Sequence, residues 1–233
     1  MDAEPHLPRR GWGSPLFMAR LTAAHSRTNF GYTCEPAMKM ADLRELLSGG
    51  TVRLLTHFLV HPDQRLHLRA LQERTGMGTG ALQRELRRFE ALGLVRRTEE
   101  GGKVYFDPVP GHPSWTAFRT LLREHGDPVE VVREVLRDVP GIQAAFVFGS
   151  TVRGGARHGS DVDVLIVEEG MPIAAIGRAM IEAESLLNRP LDVQRFTPTA
   201  LAEKLRRGSG FLRDVVSGPK AWLIGSEDVL LAR

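Results

Sequence analysis

Two periodicities run along this chain, and they divide it near its middle. Val52, Leu55, Phe58 and Leu59 form an apolar stripe at helical spacing that stops at His61-Pro62, because the residue before proline resists the helical conformation. Leu66 and Leu68 introduce a second helix over about 68–74, followed by the turn Thr75-Gly76-Met77-Gly78. A third helix spans about 79–92. Its apolar positions Leu82, Leu86, Phe89, Ala91 and Leu92 are expected to face inward, while Gln83, Arg84, Arg87 and Arg88 point outward. Residues 94–97 and 103–106 read as strands joined by the turn signal of 98–102.

Beyond a Pro-rich stretch at 107–113, expected to hold no regular structure, the pattern alternates helix and strand. Trp115, Phe118, Leu121 and Leu122 mark a helix over 114–125 that can pack between domains, and Val131, Val132, Val135 and Leu136 mark another over 128–138. The apolar run 144–148 reads as a buried strand, 161–167 as a second, 172–187 as a helix and 189–196 as a strand-like run. Short helices and a strand at 221–224 close the sequence. Residues 1–40 lack either period and are expected to be disordered, with Met38 or Met40 as an alternative start. The expected division is an extension at 1–40, a small domain at 48–108, a linker and helix at 109–126, and a second domain at 127–233.

Candidate chemistry gathers in the second domain. The strand ending at Phe148 meets the tight turn Gly149-Ser150, where glycine lets a ligand approach the backbone and any helix begun there would face an anion. Ten residues later, Asp161-Val162-Asp163 opens a strand. Period-2 geometry puts both acids on one face, about 7 Å apart, with Val162 and Val164 turned into a core. Like charges so placed call for a cation, and an oxygen-only donor set selects Mg²⁺ or Mn²⁺ over zinc. Asp192, in a strand-like run after a helix, is the candidate third acid.

These residues resemble the nucleotidyltransferase superfamily that includes DNA polymerase beta, and its minimal (MNT-type) members in particular. The pattern is met by Phe148-Gly149-Ser150, the spacer with Arg153-Gly154, Ser160-Asp161-Val162-Asp163, and Leu191-Asp192-Val193. The resemblance implies that Asp161, Asp163 and Asp192 are catalytic and hold Mg²⁺ or Mn²⁺. It further implies that Gly149, Ser150, Arg153 and Ser160 bind a nucleoside triphosphate, ATP in the first instance. The implied reaction is transfer of NMP to a hydroxyl with loss of pyrophosphate.

Charge separates the two halves. From 51 to 106 there are ten Lys/Arg against six Asp/Glu, whereas from 127 to 233 there are thirteen against fifteen, and the whole chain carries +3. Basic character in the first half suits nucleic acid. The order helix, helix, turn, helix, hairpin resembles a winged helix-turn-helix domain. That resemblance makes Thr79, Gln83, Arg84, Arg87 and Arg88 candidate DNA contacts, with Lys103 on the wing. The expected fold is thus α+β to α/β: an N-terminal winged helix-turn-helix domain and a C-terminal nucleotidyltransferase-fold mixed sheet flanked by helices.

Expected partners are double-stranded DNA, a nucleoside triphosphate, a HEPN-type toxin or other protein acceptor, and a second copy of the chain in a homodimer. No run approaches a membrane span. The single Cys34 cannot form an internal disulfide, which fits a reducing cytoplasm. Other motifs carry less. The segment 76–80 follows a helix and lacks the spacing of a dinucleotide loop, and no Walker sequence is present. His57 and His61 are spaced for zinc on a helix but have no third ligand nearby in sequence, so surface or capping roles are expected; His158 is expected to be a loop histidine. The non-enzymatic alternative is a DNA-binding regulator whose second domain senses nucleotide or mediates assembly.

Overall fold

A strand buried on both faces must be apolar at consecutive positions, and Val162–Glu168 is the chain's clearest case, with Val162, Val164, Leu165, Ile166 and Val167 all at most 1% exposed. The computed structural model describes residues 47–154, 160–170 and 173–231. Expectations for residues 1–40, for the start at Met38 or Met40 and for His158 fall outside them. The described residues belong to one compact unit.

The first part is α1 (Gly49–Val60), β1 (Leu66–His67), α2 (Leu68–Thr75), α3 (Thr79–Ala91), β2 (Val95–Glu100) and β3 (Lys103–Pro108). Ser48 caps α1 by accepting from the Thr51 amide, and Gly76 ends α2 in the left-handed conformation. Leu54, Phe58, Leu71, Leu82, Leu86 and Phe89 form the core of this part. Two expectations need correction. Ala91 and Leu92 do not face inward; Leu92 is 57% exposed, because α3 has ended there and Leu94 takes the inward position. The hairpin is also longer than its apolar residues indicate. It turns at Gly101-Gly102, both at positive φ, as a two-residue turn requires. The linker correspondingly begins later: Asp107 and Pro108 belong to β3, and Asp107 is buried in an ion pair with Arg96.

The second part follows as α4 (Pro113–His125), α5 (Pro128–Leu136), β4 (Ile142–Phe148), β5 (Val162–Glu168), α6 (Ile173–Leu187), β6 (Leu191–Phe196), α7 (Pro198–Arg206), α8 (Gly210–Ser217), β7 (Ala221–Ile224) and α9 (Glu227–Leu231). Its mixed sheet has the order β6-β5-β4-β7; β5 and β6 run parallel, the other pairs antiparallel. Helices cover both faces. Val162, Val164 and Ile166 pack with residues of α5 and α6, and the alternate positions Leu165 and Val167 pack with Leu201 of α7 and with Leu212 and Val215 of α8. Trp115 and Phe118 of α4 pack against the cores of both parts. No described helix is long and apolar enough to cross a membrane.

Candidate active site

The parity of β5 places the acids. Asp163 shares its face with Leu165 and Val167, so it points to the α7/α8 side rather than the α5/α6 side. Register then brings three segments together at one end of the sheet. Asp163 stands opposite Phe148, the last residue of β4, and opposite Asp192 on β6. Asp161 lies just before β5 and is exposed.

After Phe148 the chain turns on Gly149, whose φ of +73° is open only to glycine at little strain. A Cβ there would overlap Asp163 Oδ2, so the bare backbone of the turn lies directly against that carboxylate. Residues 149–154 form a turn closed by the Arg153 N–H to the Gly149 carbonyl at 3.3 Å, and no helix begins at Ser150. Arg153 is exposed, and its Nε also donates to the Gly149 carbonyl at 3.2 Å.

Electrostatically this end of the sheet is short of positive charge. Burial, then the charges of Asp192 and Asp161, push the Asp163 carboxyl up, and Arg153 offsets only part of this. An oxygen-only set of three carboxylates whose charges oppose one another fits a divalent cation of the Mg²⁺ or Mn²⁺ kind. Asp161, Asp163 and Asp192 are the residues that would hold such an ion. Gln194 donates to Asp192 Oδ1 at 3.2 Å, which orients that side chain.

Several residues at the site were not singled out from the sequence. Arg189 donates to the Ser160 carbonyl at 2.8 Å through Nε and to the Ser160 hydroxyl at 3.2 Å. It therefore fixes the backbone just before Asp161, and gives Ser160 an anchor within the chain. Burial lowers the Arg189 guanidinium, with the Asp161 charge acting the other way. The Thr151 hydroxyl is buried without a hydrogen-bond partner among the described residues. A cavity of about 420 Å³ opens over the turn, lined on one side by Gly149, Ser150, Arg153 and Asp163 and on the other by residues of α8 and the loop after it. Asp161 and Asp192 lie outside its lining. A run such as Phe211 to Gly218 carries no catalytic signature, so only the fold could bring it here.

The candidate DNA contacts lie elsewhere. Thr79, Gln83, Arg84, Arg87, Arg88 and Lys103 are all exposed. Gln83 and Arg87 line a groove of about 480 Å³ between α3 and the hairpin, together with Arg97. Thr79 Oγ1 accepts from Gln72 at 2.7 Å, and Arg88 stands 3.9 Å from Glu85.

The histidine expectation is corrected. His57 is not a surface residue: it is fully buried, and its Nδ1 lies 2.8 Å from Glu134 Oε1 of α5. His57, His61 and Glu134 bring possible ligand atoms within 4.8 Å of one another, so a third donor does exist. The carboxylate is nevertheless satisfied by the chain's own cations. Arg74 reaches Glu134 Oε1 at 3.2 Å and Asp138 Oδ1 at 2.8 Å, and Arg137 reaches Glu134 Oε2 at 3.5 Å. Burial alone raises the Glu134 carboxyl, but the contacts from His57 and His61 and the Arg137 charge outweigh it and hold it well below the usual carboxylate range. Burial keeps His57 neutral by lowering its pKa. This cluster joins α1 to α5.

With this geometry established, comparison gives the class of the second part. Residues 129–215, from α5 through most of α8, match the family model of the nucleotidyltransferase domain. No curated protein matches the chain. Among solved structures, a toxin-antitoxin complex with AMP-PNP is 22% identical, covering 42% of this chain and 77% of that one at a TM-score of 0.32. A mutant of the toxin-antitoxin MntA-HpeT is 20% identical, covering 45% and 78% at a TM-score of 0.34. TrmBL2, an archaeal chromatin protein, is 16% identical, covering 77% of both chains at a TM-score of 0.27.

Proposed function

We propose that the chain is a Mg²⁺-dependent nucleotidyltransferase that moves an NMP, AMP in the first instance, from a nucleoside triphosphate to a hydroxyl of a macromolecular acceptor. The observation that supports it best is the pairing of Asp163 with Asp192 in register, directly against the Gly149 turn. A bound divalent ion would supply neutralisation of the phosphates and a lowered pKa for the acceptor hydroxyl. The chain's own residues do the rest. Gly149 leaves the turn amides open to a phosphate, Ser150 offers its hydroxyl, and Arg153 balances charge gathering on the leaving pyrophosphate. Asp192 helps remove the hydroxyl proton. The acceptor oxygen then bonds to the α-phosphorus as the bond to the β-phosphate bridging oxygen breaks.

The helix and hairpin part is proposed as a winged helix that tethers this activity to duplex DNA. Its exposed Gln83, Arg84, Arg87 and Arg88 on α3 and Lys103 on the hairpin support that reading. A HEPN-type toxin is one protein acceptor that MNT-type chemistry would suit.

Incubation of the purified chain and Mg²⁺ with α-labelled ATP, CTP, GTP or UTP in a cell lysate tests the reading. Label should pass to a protein or nucleic acid with the wild type and not with Asp161→Ala/Asp163→Ala. Absence of transfer with every nucleotide, alongside tight duplex-DNA binding, would replace the enzyme by a regulator.

A further inference from the structure

The cavity over the catalytic turn has two walls of different chemistry. One is the turn itself with Asp163, where the proposed function puts the phosphates. The other is α8 and its following loop: Phe211, Asp214, Val215, Gly218 and Pro219. Phe211 is the unusual member. It is 56% exposed, one of only three large apolar side chains left so open among the described residues. An exposed phenyl ring on a helix that buries Leu212 and Val215 one turn apart is not needed for the core.

Its ring stands edge to face on Phe148 at a centroid distance of 6.2 Å and an interplanar angle of 68°. Phe148 is the residue immediately before Gly149, and its side chain shares the face of Asp163. Phe211 is thereby set beside the phosphate-binding turn, with one side supported and the rest of its surface open to the cavity. Every nucleobase presents an apolar π-face, and an aromatic platform is the common way to hold one without reading its edge. The acid Asp214, one turn further along α8, makes this wall unfavourable for a triphosphate. The cavity is thus graded: the turn amides and Arg153 belong to the phosphates, and the α8 wall to the uncharged end of the ligand.

We infer that Phe211 is the nucleobase platform of the site, stacking the base of the incoming nucleoside triphosphate over α8 while its phosphates lie on the Gly149-Ser150 turn. This rests on the proposed nucleotidyl transfer and goes beyond it, because it assigns the base end of the substrate to a helix that bears none of the acids. Stacking is tolerant of base identity, so the platform contributes affinity and not choice among nucleotides.

Two ligands separate this inference from the reading beneath it: ATP, which has a base, and inorganic tripolyphosphate, which has none. Their binding to the full chain with Mg²⁺ is measured by calorimetry for the wild type, Phe211→Ala and Phe211→Trp. The expected result is a loss of roughly ten-fold in ATP affinity for Phe211→Ala, with tripolyphosphate affinity unchanged and ATP affinity restored in Phe211→Trp. Unchanged ATP binding in Phe211→Ala, or an equal loss for both ligands, overturns the platform and leaves the transferase reading standing. Failure of the wild type to bind either ligand overturns both. Phe211→Ala removes an exposed ring, so circular dichroism should show the fold intact, and a folded Phe211→Ala that binds ATP as the wild type does counts against the platform.

Discussion

Two clusters of carboxylates in this protein experience opposite electrostatic surroundings. Glu134 is only 7% exposed, yet its carboxyl is held low, because contacts from His57 and His61 and the charge of Arg137 outweigh its burial. Asp163 is less buried, yet its carboxyl is pushed up, because its nearest charged neighbours include two more acids. Burial has the same sign in both places, so the neighbours decide the outcome. In the first cluster the chain's own cations face the carboxylate, and the contact joins α1 and α5. The second is built from acids that oppose one another, an opposition that a bound cation would relieve.

The sharpest way to break this comparison is to remove the satisfied acid. Glu134→Ala leaves the buried His57 ring without its partner and Arg74 with Asp138 alone, and should cost about 1–3 kcal/mol of stability, read as a lowered midpoint in chemical denaturation. Asp163→Asn should do the opposite in chelator: the melting temperature should hold or rise, since a charge opposed by Asp161 and Asp192 is gone. The same change should lower nucleotidyl transfer by roughly two to three orders of magnitude. A drop in stability comparable to that of Glu134→Ala would show that the Asp163 cluster is structural.

Gly149→Ala sharpens the boundary between the two roles. The positive φ alone makes it costly by about 1–2 kcal/mol, and its Cβ would displace the Asp163 carboxylate. Initial-rate measurements should show a loss of transfer far larger than that stability change implies. The smallest expected effect is on the exposed face of α3. Arg84→Ala/Arg87→Ala should leave both clusters and the fold intact, and reduce the salt slope of duplex-DNA binding by about 2, measured by titration at several salt concentrations.

Much of the second part was legible in the sequence, because β5 must be apolar at consecutive positions and the turn at Gly149 must lack a side chain. Asp161, Asp163 and Asp192 were legible as a pattern, but not the register that sets Asp163 beside Asp192. The sequence hid what long-range packing decides. His57 and Glu134 are 77 residues apart, so no local spacing announces their contact. Arg189 and Phe211 reach the site from elements without a catalytic signature. The hairpin was read too short because Arg96, Arg97, Glu99 and Glu100 are exposed, and an exposed strand leaves little hydrophobic alternation to detect. Leu92 was misplaced for the converse reason: helical spacing continued in the sequence past the point where the helix had ended.

The claim that the β5 and β6 acids await a cation is tested most directly by Mn²⁺ titration in the presence of ATP, followed by the loss of the free-ion paramagnetic resonance signal. The wild type should take up Mn²⁺ that Asp163→Asn does not, while Glu134→Gln, if folded, should match the wild type. Equal uptake by the wild type and Asp163→Asn would contradict the account.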